Sequence, residues 1–244
     1  MSRSADLSSF RKPVPDWVRP WATAASPSVV KLRYRDRYAT GFLTSRAALE
    51  AGELGHTPPR PVSTPATHVI CAAHSVHAAQ RSPIDLLTED GSRRRVEAGT
   101  FCVLPLSDIA VAPLPMSLAC DHLPLAMGGS FLGSPIVNLG FGGSRGASSR
   151  RSAAVGYGRL AAYGRWARSF DGRIALRHPM FVWLSRGATM LPGDSGGPLI
   201  VRQQILGVQS MLFSVPGFRW SIADSLLPQR NVLREILRTT GPVE

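Results

Sequence analysis

The chain has 244 residues, 44% of them hydrophobic and 18% charged, with a formal charge of +12. That length and balance fit one large globular domain or two packed lobes, and exclude a disordered or fibrous chain. No apolar run is long enough to cross a bilayer as a helix, and the N-terminal residues lack the apolar core of a secretory leader.

Almost all the positive charge is arginine, since lysine occurs only at Lys12 and Lys31. A basic surface suits nucleic acid or acidic partners. No RNA-binding motif or basic-aromatic platform accompanies it, so solubility is the simpler account, with weak nucleic-acid binding through the arginines as the alternative. The cysteines are Cys71, Cys102 and Cys120. Their odd number rules out full pairing within the chain, and their spacing fits no metal pattern. This usage points to a reducing, intracellular compartment, with no metal and no cofactor expected.

Residues 1–26 are rich in Ser, Pro and Arg and read as a basic N-terminal extension, with Trp17 and Trp21 available to dock part of it. Val29 to Tyr34 and Tyr38 to Thr44 read as two strands of a hairpin around Asp36-Arg37. Ser45 to Ala66 reads as a long loop with a helical turn near Arg46 to Ala51. Thr67-His68-Val69-Ile70-Cys71-Ala72-Ala73-His74 is an apolar strand ending in small residues and then a histidine. The small alanines allow close backbone packing and fix where that imidazole projects. His56, His68, His77, His122 and His178 lack this context and read as structural or exposed.

Ile84 to Leu87 and Arg94 to Ala98 flank Glu89-Asp90-Gly91-Ser92, a second hairpin signal. Asp108 opens the apolar strand Ile109 to Leu114. It is either a strand-capping acid or a buried carboxylate that accepts a histidine N–H. Asp121 to Gly129 reads as a crossover between two lobes. Further strands follow at Ile136 to Gly142, Val155 to Tyr163, Arg173 to Leu184, Gln204 to Met211 and Phe218 to Ile222. Val232, Leu233, Ile236 and Leu237 share one helical face, so the chain is expected to end in a helix.

Between these strands lies Gly193-Asp194-Ser195-Gly196-Gly197-Pro198-Leu199. Glycines on both sides let the backbone turn tightly. Such a turn exposes a serine oxygen beside converging N–H groups, which suits attack on a carbonyl.

With His74, Asp108 and Ser195 in this order, the sequence resembles the chymotrypsin-like serine proteases. Val69 to His74, Asp108 to Leu114 and Gly193 to Leu199 carry the likeness. It implies an all-β fold of two six-stranded antiparallel β-barrels with a C-terminal helix. The first barrel would span about 27–120, the second about 130–223 and the helix about 224–238. It also implies Ser195 as nucleophile, His74 as general base and then acid, and Asp108 as the partner that orients His74. The N–H groups of Gly193 and Ser195 would form the oxyanion hole.

The same resemblance places Thr189 at the bottom of the primary substrate pocket. Ser210, Met211 and Leu212 would pair with substrate backbone, and Gly217 would leave the pocket wall open. A neutral residue at Thr189 implies a neutral or Glu preference. The terminal Glu244 fits the latter if that end is a self-cleavage product.

Ser75 stands where secreted relatives keep a disulfide cysteine, and no Ile-Val-Gly-Gly activation junction is present. Asp194 must therefore find a partner other than a freed amine, such as an arginine. This layout resembles the intracellular, viral polyprotein-processing and HtrA-type members. A serine endopeptidase acting on a polypeptide, in limited or self-processing, is the leading expectation. The alternative is a catalytically silent module that binds nucleic acid or protein through its basic surface.

Overall fold

The computed structural model describes residues 14–53, 60–142, 152–185, 188, 190–215 and 218–241. Two β units lie one after the other. The first contains β1 (Val29–Tyr34), β2 (Arg37–Thr44), β3 (Ala66–Ala72), β4 (Ile84–Leu87), β5 (Arg93–Val96), β6 (Cys102–Val103) and β7 (Ile109–Leu118). They pair in the order β5-β4-β1-β2-β3-β7-β6. The second unit is built from β8 (Pro135–Gly140), β9 (Ala154–Tyr163), β12 (Pro179–Leu184), β13 (Pro198–Val201), β14 (Gln204–Val215) and β15 (Phe218–Ser225). These six close into a barrel in the order β12-β15-β14-β13-β8-β9. Between β9 and β12, β10 (Trp166–Arg168) and β11 (Ala175–Arg177) make a separate two-stranded ribbon.

The expectation of two closed six-stranded barrels is therefore wrong for the first unit, which is an open, seven-stranded sheet. Its two edges explain why. The edge strand β6 has two residues, too few to zip against a partner. The opposite edge, β5, carries Arg93, Arg94 and Arg95. Two of these, Arg93 and Arg95, converge with Arg33 on the single carboxylate of Asp85, at 2.6, 3.2 and 3.2 Å. An edge this short and this charged is blunted against further pairing.

Strand periodicity explains the burial. The cross-strand row Phe42, Ile70 and Val111 faces one side of the sheet. The adjacent row Leu43, Val69 and Ala112 faces the other. Both rows are fully buried: the first joins the core shared with the barrel and the second joins a separate core under the sheet. A sheet covered on both faces needs near-continuous apolar strands, which is what β3 and β7 supply.

Among the described residues, four α-helices decorate this frame: α1 (Val18–Ala25), α2 (Arg46–Glu53), α3 (Ala73–Ala79) and α4 (Arg230–Thr239). α1 buries Val18, Ala22 and Ala25 in the shared core. Trp17 meets Tyr157 edge-on at 6.3 Å, so this part of the N-terminal segment is docked. β15 runs on through Asp224 and Ser225, so α4 starts later than its sequence suggested, past Pro228. α4 buries Leu233 and Leu237, one turn apart. The chain just past its end is pinned to β3, where His68 Nε2 lies 3.0 Å from Thr240 Oγ1. Among the described residues no helix is long and apolar enough to cross a membrane.

Candidate active site

β3 ends at Ala72, whose extended backbone turns straight into α3. That sharp strand-to-helix turn presents His74 at the start of the helix. Asp108, immediately before β7, grips the turn at three points. Its carbonyl accepts the Ala73 N–H at 2.9 Å, and its Oδ1 accepts the His74 N–H at 2.8 Å. Its Oδ2 lies 2.7 Å from His74 Nδ1. The carboxylate is buried while the imidazole is partly exposed. With Nδ1–H donating inward, Nε2 is left as the ring's free lone pair.

The serine turn belongs to the barrel. Asp194 N–H donates to Leu191 O and Gly197 N–H to Asp194 O, each at 3.0 Å. The Asp194 carboxylate accepts the Gly142 N–H at 2.6 Å and the Leu191 N–H at 2.7 Å. Two glycines at the end of β8 make room for it. A Cβ on Gly140 or Gly142 would lie 2.3 or 2.6 Å from its Oδ1. Gly193 and Gly196 both hold positive φ, at 101° and 90°. A Cβ on Gly196 would stand 1.9 Å from the Thr40 carbonyl, so the turn and β2 meet backbone to backbone.

Thr40 clamps this meeting. Its N–H donates to Ser195 O at 2.9 Å and its hydroxyl donates to Gly193 O at 2.7 Å. The same hydroxyl accepts the Phe141 N–H at 2.9 Å. Among the described residues neither the Gly193 N–H nor the Ser195 N–H donates to a protein acceptor. The turn thus has two fixed backbone donors left over.

Ser210 joins the two halves. It is the extra residue of a β-bulge: Gln209 pairs with Ala223, and Met211 with Ile222. The bulge turns the Ser210 hydroxyl onto Asp108 Oδ2. The Ser210 carbonyl accepts the Ser195 hydroxyl at 3.3 Å. His74 is held by Asp108, Asp108 by Ser210, and Ser195 by the same Ser210. Ser195 Oγ spends its proton on that carbonyl, and no hydrogen bond joins it to His74.

Of the remaining sequence candidates, Met211 is half-buried and Leu212 is exposed beside Ser210 on β14. Thr189, Gly217 and Glu244 lie outside the described residues.

Two residues at this site escaped the sequence reading. One is Thr40, whose only signal was a threonine before Gly41 in a strand. The other is Asp224, whose Oδ2 accepts the Asp108 N–H at 2.6 Å. Asp224 looked like the polar start of a helix. Burial pushes its carboxyl up to about 7, against an opposing pull from the Asp108 N–H and with the Asp108 charge adding to the rise.

No protein-family model matches the chain, and no curated protein matches it in sequence. Solved structures do resemble it. The active form of the Rv3671c protease from M. tuberculosis has a TM-score of 0.64 at 20% identity, over 100% of this chain and 95% of that one. The serine endoprotease from Yersinia pestis has a TM-score of 0.62 at 16% identity, over 93% of this chain and 69% of that one. The HtrA-type protease AlgW has a TM-score of 0.62 at 17% identity, over 91% of this chain and 64% of that one. Identities this low speak to fold alone: the chain shares the fold of these solved proteases.

Proposed function

We propose that the chain is a serine endopeptidase. The observation that carries this reading is the convergence of His74–Asp108 and Ser195 on Ser210, beside two unclaimed N–H groups. As the substrate carbonyl arrives, Ser195 Oγ exchanges its Ser210 acceptor for His74 Nε2. His74 takes the hydroxyl proton while Oγ adds to the carbonyl carbon. The imidazolium so formed is stabilised by Asp108, which already holds Nδ1. The carbonyl oxygen becomes an oxyanion and is met by the N–H groups of Gly193 and Ser195. Collapse passes the proton from His74 to the leaving amine and leaves an acyl-Ser195. Water, activated by the same histidine, releases the acid product.

The substrate is a polypeptide laid along Ser210, Met211 and Leu212 as an added strand. The neutral Thr189 supports cleavage after a neutral residue or Glu, and a restricted set of sites. A fluorophosphonate probe tests the chemistry. Wild-type protein is expected to be labelled at Ser195 and to cleave a peptide library, and Ser195→Ala to lose both, with kcat down by roughly 10³-fold or more. Equal hydrolysis by the two proteins would overturn the reading. A Lys or Arg preference in the library would overturn the neutral pocket alone.

A further inference from the structure

Asp224, near the end of β15, meets Asp108 at its backbone. It is almost fully buried, at 1% exposure. Its Oδ2 accepts the Asp108 N–H. Its Oδ1 is buried with no hydrogen-bond partner, the one carboxylate oxygen so placed among the described residues. A buried carboxylate with one oxygen unpartnered is a costly arrangement for a purely structural anchor. An asparagine or a serine would hold the same N–H without burying a charge. The two strands paired with β15, β12 and β14, contain no Lys, Arg or His. Its cross-strand neighbours are Val208 on β14 and Pro179 on β12. The groups that act on it are the Asp108 carboxylate and N–H, the Ser107 hydroxyl and the Ser225 N–H.

We propose that Asp224 is a positioning residue for the hydrolysis, holding Asp108 by its N–H and adding a second negative charge close to Asp108. The inference rests on the protease reading above. Its consequence is a two-proton control. With Asp224 protonated, the proton sits on the unpartnered Oδ1 and only Asp108 faces the imidazolium. With Asp224 ionised, the imidazolium formed during Ser195 attack is stabilised by Asp108 directly and by the Asp224 charge at longer range. Burial sets this ionisation near pH 7, so activity rises as the pH passes through neutrality.

The experiment compares wild type and Asp224→Asn, since Asn keeps an acceptor for the Asp108 N–H and removes the charge. The acid limb of kcat against pH is expected to show two ionisations in wild type and one in Asp224→Asn. At pH 8 the variant is expected to lose about tenfold in kcat with KM unchanged. An unaltered profile would overturn the proposal. The second measurement needs no variant: NMR of the His74 ring N–H in wild type. A second inflection near pH 7, beyond the ring's own titration, is expected. A single inflection would count as decisive against coupling. This resonance reports on Asp224 even in a protein that hydrolyses nothing, so failure of the proposal and failure of the protease reading remain distinguishable.

Discussion

The contribution of Asp224 to stability is expected to fall as pH rises through the range where it ionises, and Asp224→Asn to remove that contribution. The folded carboxyl holds its proton up to about pH 7, against an ordinary value of 3.8. The unfolded chain releases the same proton near the ordinary value. Between the two this group binds its proton in the folded state and not in the unfolded one, so its contribution to stability drops with rising pH and levels off above about 7. From pH 5 to pH 7 the interval is two units, and at about 1.4 kcal/mol per unit the loss is about 3 kcal/mol. Asn keeps the acceptor for Asp108 N–H and has nothing to ionise. The assay is urea denaturation followed by tryptophan fluorescence at pH 5 and pH 8, in a Ser195→Ala background that prevents self-digestion. The stability difference between Asn and Asp should move by about 3 kcal/mol in favour of Asn between these two conditions. A difference of the same size at both would refute the argument from a buried ionisation.

Two further predictions concern the clamp on the serine turn. Thr40→Val keeps the shape of the side chain but leaves the Phe141 N–H and the Gly193 carbonyl without their partner. It is expected to lower kcat by about ten- to a hundredfold with KM little changed, as the oxyanion donors lose their fixed aim, while Thr40→Ser restores the rate. Parallel losses in both variants would argue for lost packing instead. Gly196→Ala puts a Cβ 1.9 Å from the Thr40 carbonyl at a positive φ. It should cost roughly 3 kcal/mol or more, and a thermal midpoint equal to wild type would contradict the close approach described here.

Local chemistry was readable where it was written locally. Alternation over Val29 to Tyr34 and Gln204 to Met211 marked strands, and the structure has β1 and β14 there. The glycine-flanked serine announced a tight turn, and Gly193 and Gly196 do take positive φ. What the sequence did not reveal depends on partners far along the chain. Whether the first sheet closes is decided by β5 and β6, which follow one another in the chain but end up at opposite edges of the sheet, an order set by the strands paired between them and not by anything in β5 or β6 themselves. The Thr40 hydroxyl acquires its role from Gly193, 153 residues away. Asp224 acquires its role from Asp108, 116 residues away. A polar residue at the end of a strand looks the same whether it faces water or another carboxylate.

The serine turn is braced from outside its own barrel. Thr40 sits on the open sheet, yet it holds the carbonyls of Gly193 and Ser195 with one hydroxyl and one N–H. On the protease reading, reactivity is therefore a property of the seam between the sheet and the barrel and of neither alone. A slip of a few tenths of an ångström along that seam would disarm the oxyanion donors while every strand stayed intact. Mild denaturant or mild heat should then silence the chain well before it unfolds, and cooling should return it to work without refolding.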